Sequence, residues 1–193
     1  MIKVLNINKT FGENVVLKNF THEFAEGKVT AVLGRSGCGK STLLNILMGL
    51  ISCDEGQVIR PEECRISAVF QENRLCENLT PSANIRLVTG KRFSKADIAA
   101  ELSRIGLDGC ENKPVRELSG GMKRRTALLR ALLAEYDVLF LDEPFKGLDA
   151  DTKRIVMSYC KEKIAGKTVI FVTHDMDECE YLADDVLRLG ETE

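Results

Sequence analysis

The hydrophobic and polar positions follow two different periods along the chain. The opening third predicts strands over 2–8, 15–24 and 28–33, of which the first two alternate apolar and polar residues and the third is almost wholly apolar. Alternation is typical of half-exposed antiparallel strands, and a continuous apolar run is typical of a buried strand. The remaining predicted elements are strands at 66–70, 138–141, 168–172 and 185–189, and helices at 40–50, 149–165 and 175–183.

The pattern is helical from about 72 to 134. Ser94 and Asp97 have the spacing of a capping box, and Ser119 is placed to cap a second helix. Strands that alternate with helices on either side of this block predict a mostly parallel sheet covered on both faces. We therefore expect an α/β fold in one domain, 1–193, with an N-terminal antiparallel β subdomain. Its core would span about 1–71 and 135–193, and a helical subdomain would be inserted at about 72–134.

Composition narrows the class of protein. At 193 residues the chain is long enough for one domain with a substantial core. A net charge of −2 gives no electrostatic indication of a nucleic-acid partner, and no apolar run approaches the roughly 20 residues that span a bilayer. The seven cysteines are odd in number and scattered, without a CxxC pair. This favours reduced thiols in a cytosolic compartment over a disulfide framework or a zinc site.

A glycine-rich segment, GRSGCGKST at 34–42, follows a buried strand and opens a helix. Its glycines allow successive backbone N–H groups to converge on one anion, and the helix start adds the positive end of its dipole. Lys40 would reach the β- and γ-phosphates, and Ser41 would offer its hydroxyl to Mg²⁺. A simple glycine-rich turn is the alternative, and kinases, GTPases, helicases and transport ATPases all use such a loop. The candidate nucleotide-binding residues in this phosphate loop are Gly34, Ser36, Gly37, Cys38, Gly39, Lys40, Ser41 and Thr42.

Two carboxylates, Asp142 and Glu143, follow the apolar run at 138–141. Ligands of open α/β sheets bind at the carboxyl ends of the strands. Asp142 would hold Mg²⁺ through a water, and Glu143 would face the γ-phosphate and polarise the attacking water. A strand followed by a solvated acidic turn is the alternative interpretation.

A second glycine pair, in Leu118-Ser119-Gly120-Gly121, opens a predicted helix. Two glycines at a helix start weaken the helix, which is explained if a phosphate must approach the backbone closely. A capped surface helix with a flexible start is the alternative. Four basic residues of the same helix are interpreted as a solvated face, with attraction of phosphate as the alternative for the first two: Lys123, Arg124, Arg125 and Arg130.

In this order the motifs resemble the ATPase subunit of an ATP-binding cassette (ABC) transporter, which is a P-loop NTPase. The resemblance covers essentially the whole chain. It rests on GRSGCGKST, Gln71, LSGG at 118–121, VLFLDEP at 138–144, Leu148-Asp149 and His174. The LSGG segment is far more specific than the phosphate loop. The segment VFQENRL at 69–75 is similar to importers of the nitrate, taurine and aliphatic-sulfonate type.

The resemblance implies roles for residues outside these motifs. Gln71 would contact Mg²⁺ and the attacking water, and its loop would report the nucleotide state to the membrane partner. His174 would reach the γ-phosphate, and Asp149 would lie at a dimer interface near the partner's phosphate loop. Phe11 would stack on adenine, where the family often has tyrosine. The implied catalytic residues are Glu143, His174, Gln71 and Lys40, and the implied metal ligands are Ser41, Gln71 and Asp142.

The resemblance also implies partners. In the family's fold, the phosphate loop and LSGG do not meet within one subunit, so two chains placed head to tail would enclose two ATP molecules. We expect ATP and Mg²⁺ as cofactors, a homodimer in the ATP-bound state, integral membrane permease subunits, a separate extracellular solute-binding protein and no nucleic-acid partner. The subunit would lie at the cytoplasmic side of the cell membrane and power the import of a small solute.

Two other functions use similar parts. A soluble ABC-type ATPase of DNA repair would have long coiled coils inserted into the cassette. A soluble ABC-type ATPase of translation would carry two cassettes. This sequence has neither feature. A P-loop kinase or a GTPase leaves LSGG and Leu148-Asp149 unexplained. Two residues depart from the family's pattern: Met122 replaces a common glutamine, and Lys146 stands where small residues are usual and would alter the charge near the interface.

Overall fold

The computed structural model describes residues 1–190, and these residues form eight strands and six α-helices. The strands are β1 (Ile2–Phe11), β2 (Asn14–Phe24), β3 (Val29–Leu33), β4 (Glu55–Ile59), β5 (Ile66–Val69), β6 (Val138–Asp142), β7 (Thr168–Thr173) and β8 (Asp185–Arg188). The helices are α1 (Lys40–Met48), α2 (Pro81–Thr89), α3 (Lys95–Arg104), α4 (Gly120–Leu133), α5 (Ala150–Ile164) and α6 (Met176–Leu182). A short 3₁₀ turn at Val115–Glu117 precedes α4.

A three-stranded antiparallel sheet in the order β2-β1-β4 contains the N-terminal strands, as predicted. Strand β4 is an addition that the sequence pattern did not predict. Its residues are exposed except for the partly buried Val58, so it has no apolar alternation. Gly56 makes this pairing possible, since a Cβ there would lie only 2.5 Å from the Leu5 carbonyl oxygen.

The second sheet has five parallel strands in the order β5-β6-β7-β3-β8. Strand β3 lies inside the sheet with all five residues buried, as its apolar run predicted, and β8 forms an edge. Strands β6 and β7 are also buried throughout. Near-continuous apolar runs are typical of parallel strands that are covered on both faces.

Alternate residues of these strands enter two apolar layers. One layer joins α1 and the antiparallel sheet to one face of the parallel sheet, and it contains Leu43, Leu44, Val32, Phe140 and Ile170. The other joins helices α2 to α6 to the opposite face, and it contains Ile85, Leu128, Val156, Leu139 and Phe171. Because the helices within 72–134 share this second layer with the sheet, the division into core and helical subdomain stays a prediction.

Side chains cap α3, α4 and α5, the first two where the sequence indicated; the cap at Asp149 is an addition. Ser94 and Asp97 form both hydrogen bonds of a capping box at the start of α3. The Ser119 hydroxyl accepts from the Met122 N–H at 3.3 Å and caps α4. Asp149 accepts from the Thr152 N–H at 3.0 Å and caps α5. These caps determine where each helix begins.

Strand register brings the candidate functional segments to one edge of the parallel sheet. Leu33, the last residue of β3, pairs with Thr173, the last residue of β7. Asp142 of β6 pairs with Val172, and Val69 of β5 pairs with Leu141. Since all these strands point the same way, the chain leaves each of them at the same edge, where open α/β sheets bind ligands.

Candidate active site

A pocket of ≈ 270 Å³ lies at this edge of the sheet. Eight predicted site residues line it: Ser36, Gly37, Gly39, Lys40, Ser41, Thr42, Gln71 and Glu143. Val16 of β2 and Val172 of β7 complete the lining. The structure therefore brings together the phosphate loop, Gln71 two residues after β5 and Glu143 directly after β6, which are far apart in the sequence.

The phosphate loop has a backbone that requires glycine at Gly39. Its φ is +99°, and a Cβ there would lie 2.7 Å from Val16 Cγ1. The buried Lys40 begins α1, and its Nζ donates to the carbonyls of Gly34 at 2.7 Å and Arg35 at 2.8 Å. A buried ammonium group and a helix start therefore face the same small pocket, which is an arrangement suited to polyanions.

Asp142 carries a buried carboxylate next to the pocket. Its side chain is 8% exposed, and its Oδ1 has no hydrogen-bond partner among the described residues. Burial raises the pKa of Asp142, and the neighbouring Ser41 hydroxyl acts in the opposite direction. A carboxylate oxygen without a partner beside a hydroxyl fits Mg²⁺, because this ion takes oxygen ligands.

Glu143 lies between two basic side chains. Its Oε2 is 2.5 Å from Lys146 Nζ, and its Oε1 is 3.4 Å from His174 Nδ1. Burial tends to raise the pKa of Glu143, but Lys146 and His174 outweigh it and hold the pKa below its ordinary value. The Glu143 backbone has a φ of +46°, which is uncommon for a residue other than glycine. His174 is largely exposed, and its contact with Glu143 places it next to that carboxylate.

A second group of predicted residues lies together outside the pocket. Ser119, Gly120 and Gly121 form the start of α4, and a Cβ on Gly121 would lie 3.5 Å from Leu148 Cδ2. Asp149 follows directly, at the start of α5. None of these four residues is among those that line the pocket. One chain therefore presents two separate helix starts that are candidates for phosphate.

Phe11 also lies outside the pocket lining. Its side chain is 52% exposed at the end of β1, and Lys9 Nζ is 5.2 Å from the centre of its ring. The hairpin that carries Phe11 also carries Val16, which does line the pocket.

Arg124 corrects one prediction. The basic face of α4 was expected to be solvated, but Arg124 is only 4% exposed. Its guanidinium donates to main-chain carbonyls that follow β5 and end β6, including those of Gln71 and Glu143. Helical spacing of charges did not reveal this, because the partners are backbone atoms of distant segments.

Comparison with known proteins decides the family. A model described as ABC transporter matches residues 17–146, which is more than half of the chain. The chain belongs to the ABC transporter family. Its motifs occur in the order that the sequence resemblance indicated.

Individual ABC relatives are similar over nearly the whole chain. The aliphatic sulfonates import ATP-binding protein SsuB 3 of Paraburkholderia xenovorans is 41% identical over 188 residues, which cover 96% of this chain and 75% of that protein. The protein SsuB 1 of Pseudomonas aeruginosa, with the same description, is 38% identical over 204 residues, which cover 98% of this chain and 82% of that protein.

Solved ABC cassettes share the fold. The dimeric structure of MJ0796, a bacterial ABC transporter cassette, superposes with a TM-score of 0.82 at 30% identity, over 98% of this chain and 94% of that chain. A dimeric post-hydrolysis state of the same cassette, bound to ADP and Pi, superposes with a TM-score of 0.83 at 29% identity over the same shares.

These similarities confirm several predictions. The P-loop NTPase fold, the ABC family and the function as the ATP-binding and ATP-hydrolysing subunit of an importer-type ABC system are as expected. They do not favour a soluble ABC-type ATPase of DNA repair or translation, or a P-loop kinase. Among the described residues, none of the helices has the length and apolar character that crossing a bilayer requires.

Sequence reasoning missed three residues around the site of this ABC ATPase. Val16 lies in an alternating strand, where nothing marks it as a neighbour of the phosphate loop. Lys146 was interpreted through the charge of a dimer interface, whereas the structure pairs it with Glu143 in the same chain. Arg124 was interpreted as solvated. The spacing of Lys146 three residues after Glu143 was the one available signal.

Proposed function

We propose that two copies of this ABC ATPase bind head to tail with ATP between them, and that hydrolysis powers the import of a small solute. The observation that carries the proposal is the separation of two candidate phosphate sites within one chain. The phosphate loop lines the pocket, whereas Gly120 and Gly121 lie outside it. A second chain can present its own Gly120 segment to the open side of the pocket, and the dimeric relative supports such a pairing.

The phosphate loop would hold the triphosphate of ATP. Backbone N–H groups at the start of α1 would donate to the phosphate oxygens, and Lys40 would turn from the loop carbonyls to the β- and γ-phosphates. Ser41, Asp142 and Gln71 would hold Mg²⁺, which when bound neutralises charge on the phosphates. The partner's Ser119, Gly120 and Gly121 would donate to the γ-phosphate from the opposite side.

Glu143 would act as the proton acceptor for the attacking water. The water oxygen bonds to the γ-phosphorus, its proton passes towards Glu143, and the bond to the leaving oxygen of ADP breaks, giving ADP and inorganic phosphate. Gln71 would orient that water, and His174 would contact the γ-phosphate from its place beside Glu143. Lys40 would stabilise the negative charge of the transition state.

Two further residues would complete the site. Phe11 is a large exposed aromatic residue on the hairpin that borders the pocket, so its ring is available to stack on adenine. Asp149 directly follows Leu148, whose side chain lies next to Gly121, and it would face the partner's phosphate loop across the interface.

We propose aliphatic sulfonates as the transported class, because the similar relatives carry that description. The subunit would be peripheral on the cytoplasmic side of the cell membrane, bound to integral permease subunits. A separate extracellular solute-binding protein would deliver the substrate.

The substitution Glu143→Gln tests the proposal. It keeps the shape of the side chain but removes the proton acceptor, so ATP hydrolysis should fall by about 100-fold or more while ATP binding persists. ATP should then accumulate at the interface and hold two chains together. Light scattering after size-exclusion chromatography in saturating ATP and Mg²⁺ should report the mass of a dimer.

The matched control is the double variant Lys40→Ala/Glu143→Gln. It should bind the triphosphate poorly and remain at the mass of one chain under the same conditions. A single-chain mass for Glu143→Gln with ATP bound would contradict the head-to-tail proposal.

A further inference from the structure

One buried guanidinium joins three segments around the pocket. Arg124 projects from α4, and each of its three nitrogens donates to a polar oxygen of another segment. Nε donates to Pro144 at 3.2 Å, and Nη2 donates to Glu143 at 2.5 Å and also to Asp142. Nη1 donates to Phe70 at 2.5 Å, to Gln71 at 3.3 Å and to Asn73 Oδ1 at 3.4 Å.

The partners of Arg124 belong to two short segments. One, 70–73, follows β5 and contains Gln71; we call it the glutamine loop. The other, 142–144, ends β6 and contains Glu143; we call it the glutamate turn. Five of the six acceptors are main-chain carbonyls, so these hydrogen bonds determine where the backbone of both segments lies.

The contacts of Arg124 differ from those of an arginine in a surface salt bridge. Arg124 makes no ion pair within residues 1–190; its charge is compensated by the carbonyl dipoles and, at longer range, by the carboxylates of Asp142 and Glu143. A planar guanidinium with five N–H donors in a fixed fork can hold two segments at once, which the point charge of a lysine cannot do.

We infer that Arg124 is a positioning residue for ATP hydrolysis: it fixes the glutamine loop and the glutamate turn relative to each other and ties both to α4. This inference rests on the proposed function, because it assigns Arg124 to the support of Gln71 and Glu143. Arg124 itself does not line the pocket.

Because Arg124 lies on α4, its hydrogen bonds also connect the start of that helix to the glutamine loop and the glutamate turn. Helix α4 begins at Gly120, one turn before Arg124, and in the proposed dimer that start faces the partner's nucleotide. The segments held by Arg124 serve the nucleotide of its own chain. A shift of α4 at one site would therefore be transmitted to the backbone beneath Gln71 and Glu143 at the other site.

Two variants test the role in catalysis. Arg124→Gln removes the fork, and we expect kcat to fall at least about tenfold while the Kd for ATP stays within about threefold, because the phosphate loop is untouched. Arg124→Lys retains the charge and part of the donor set, so its kcat should lie between those of Arg124→Gln and the unsubstituted protein.

Hydrogen exchange separates positioning from general support of the fold. In Arg124→Lys, amides of the glutamine loop and the glutamate turn should exchange faster, with α4 itself unchanged. The control is Arg92→Gln, since Arg92 also donates to a carbonyl of α4, that of Leu133, but lies away from the pocket. It should leave kcat and exchange in both segments unchanged.

Equal losses of ATP affinity and kcat in Arg124→Gln, or faster exchange throughout α4 instead of in the two segments, would overturn the inference. If Arg124→Gln does not fold, Arg124→Lys still provides both readouts. The exchange result does not require ATPase activity. An unsubstituted protein without ATPase activity would therefore refute the proposed function, while the exchange measurement would still decide whether Arg124 holds the two segments.

Discussion

Cys38 shows how little space the phosphate loop leaves around a single side chain. Its Sγ lies 2.7 Å from the position that a Cβ on Gly34 would take, and its Cβ lies 2.9 Å from the corresponding position on Gly190. The thiol is partly exposed and is not in a disulfide. A group added to this sulfur therefore has to displace the backbone of the phosphate loop.

We predict that alkylation of Cys38 by N-ethylmaleimide lowers ATP affinity at least about tenfold, because the loop must hold its shape for its N–H groups to converge. ATP bound beforehand should protect the thiol. Titration with a fluorescent ATP analogue, with mass spectrometry to locate the modified cysteine, measures both effects.

Cys38→Ser is the matched control for this prediction. It keeps a small side chain, so it should bind ATP normally and lose its sensitivity to the reagent, even though the exposed Cys76 still reacts. Unchanged ATP binding after complete modification of Cys38 would show that the loop tolerates the added group.

At the scale of elements, a clamp between two residues secures the start of the β5–β6 pair. Asp137 accepts from the Arg65 N–H at 2.8 Å, from Nε at 3.1 Å and from Nη2 at 2.9 Å. In return, the Asp137 N–H donates to the Arg65 carbonyl. These hydrogen bonds lower the pKa of Asp137 to about 2. The clamp thus sets the register that brings Gln71 and Glu143 to one edge of the sheet.

We predict that Asp137→Asn lowers the melting temperature at pH 7 by about 1–3 °C. Because the pKa of Asp137 is depressed in the folded state, the charge stabilises the fold at pH values above the unfolded pKa of about 4. That stabilisation is lost as the pH falls towards 2. Thermal unfolding followed by circular dichroism should show the difference between the two proteins narrowing from pH 4 downwards.

Glu26→Gln is the control for the clamp. Glu26 pairs with the N-terminal ammonium group on the surface, outside any helix, with side-chain exposures of 80% and 45%, so the loss of its charge should not change the melting temperature measurably. A difference for Asp137→Asn that persists unchanged at pH 2 would show that the charge is not what stabilises this pair of strands.

Elements with strong local signals were predictable from the sequence, and those determined by distant partners were not. Strand β6 is apolar up to its last residue, Asp142, and α3 begins with a complete capping box, so each could be located. Strand β4 could not, because it is polar and depends on a close approach at Gly56.

The residues of the candidate site also fall into those with a local sequence signal and those that depend on distant partners. Lys40 and Glu143 belong to local motifs, and the structure brings both into one pocket. The contact of Val16 with the phosphate loop and the burial of Arg124 depend on tertiary packing, which a local pattern does not encode. A glycine could be assigned a role from the sequence only when it belonged to a recognisable phosphate-binding motif.

At the scale of the whole molecule, Gly120 is a glycine that the fold of one chain does not require. A Cβ at this position would meet no atom within 4 Å, and the residue is exposed at the first position of α4. An aspartate there suits the helix dipole, so Gly120→Asp should fold normally. It would nevertheless place a carboxylate where we propose that the partner's γ-phosphate binds, and it should abolish ATP hydrolysis.

Mixing two inactive proteins distinguishes a site shared between chains from a site within one chain. In the proposed pair, each nucleotide uses Glu143 of one chain and Gly120 of the other. A heterodimer of Glu143→Gln and Gly120→Asp therefore contains one site with both substitutions and one site with neither.

Random pairing of equal amounts makes half of the dimers mixed, so about a quarter of all sites are intact, and up to about a quarter of the ATPase rate should return. If each chain built its site alone, every site in the mixture would carry one substitution and no activity would return. Recovery should also rise and then fall as the ratio of the two proteins is varied, with its maximum near equal amounts, because only mixed dimers contribute.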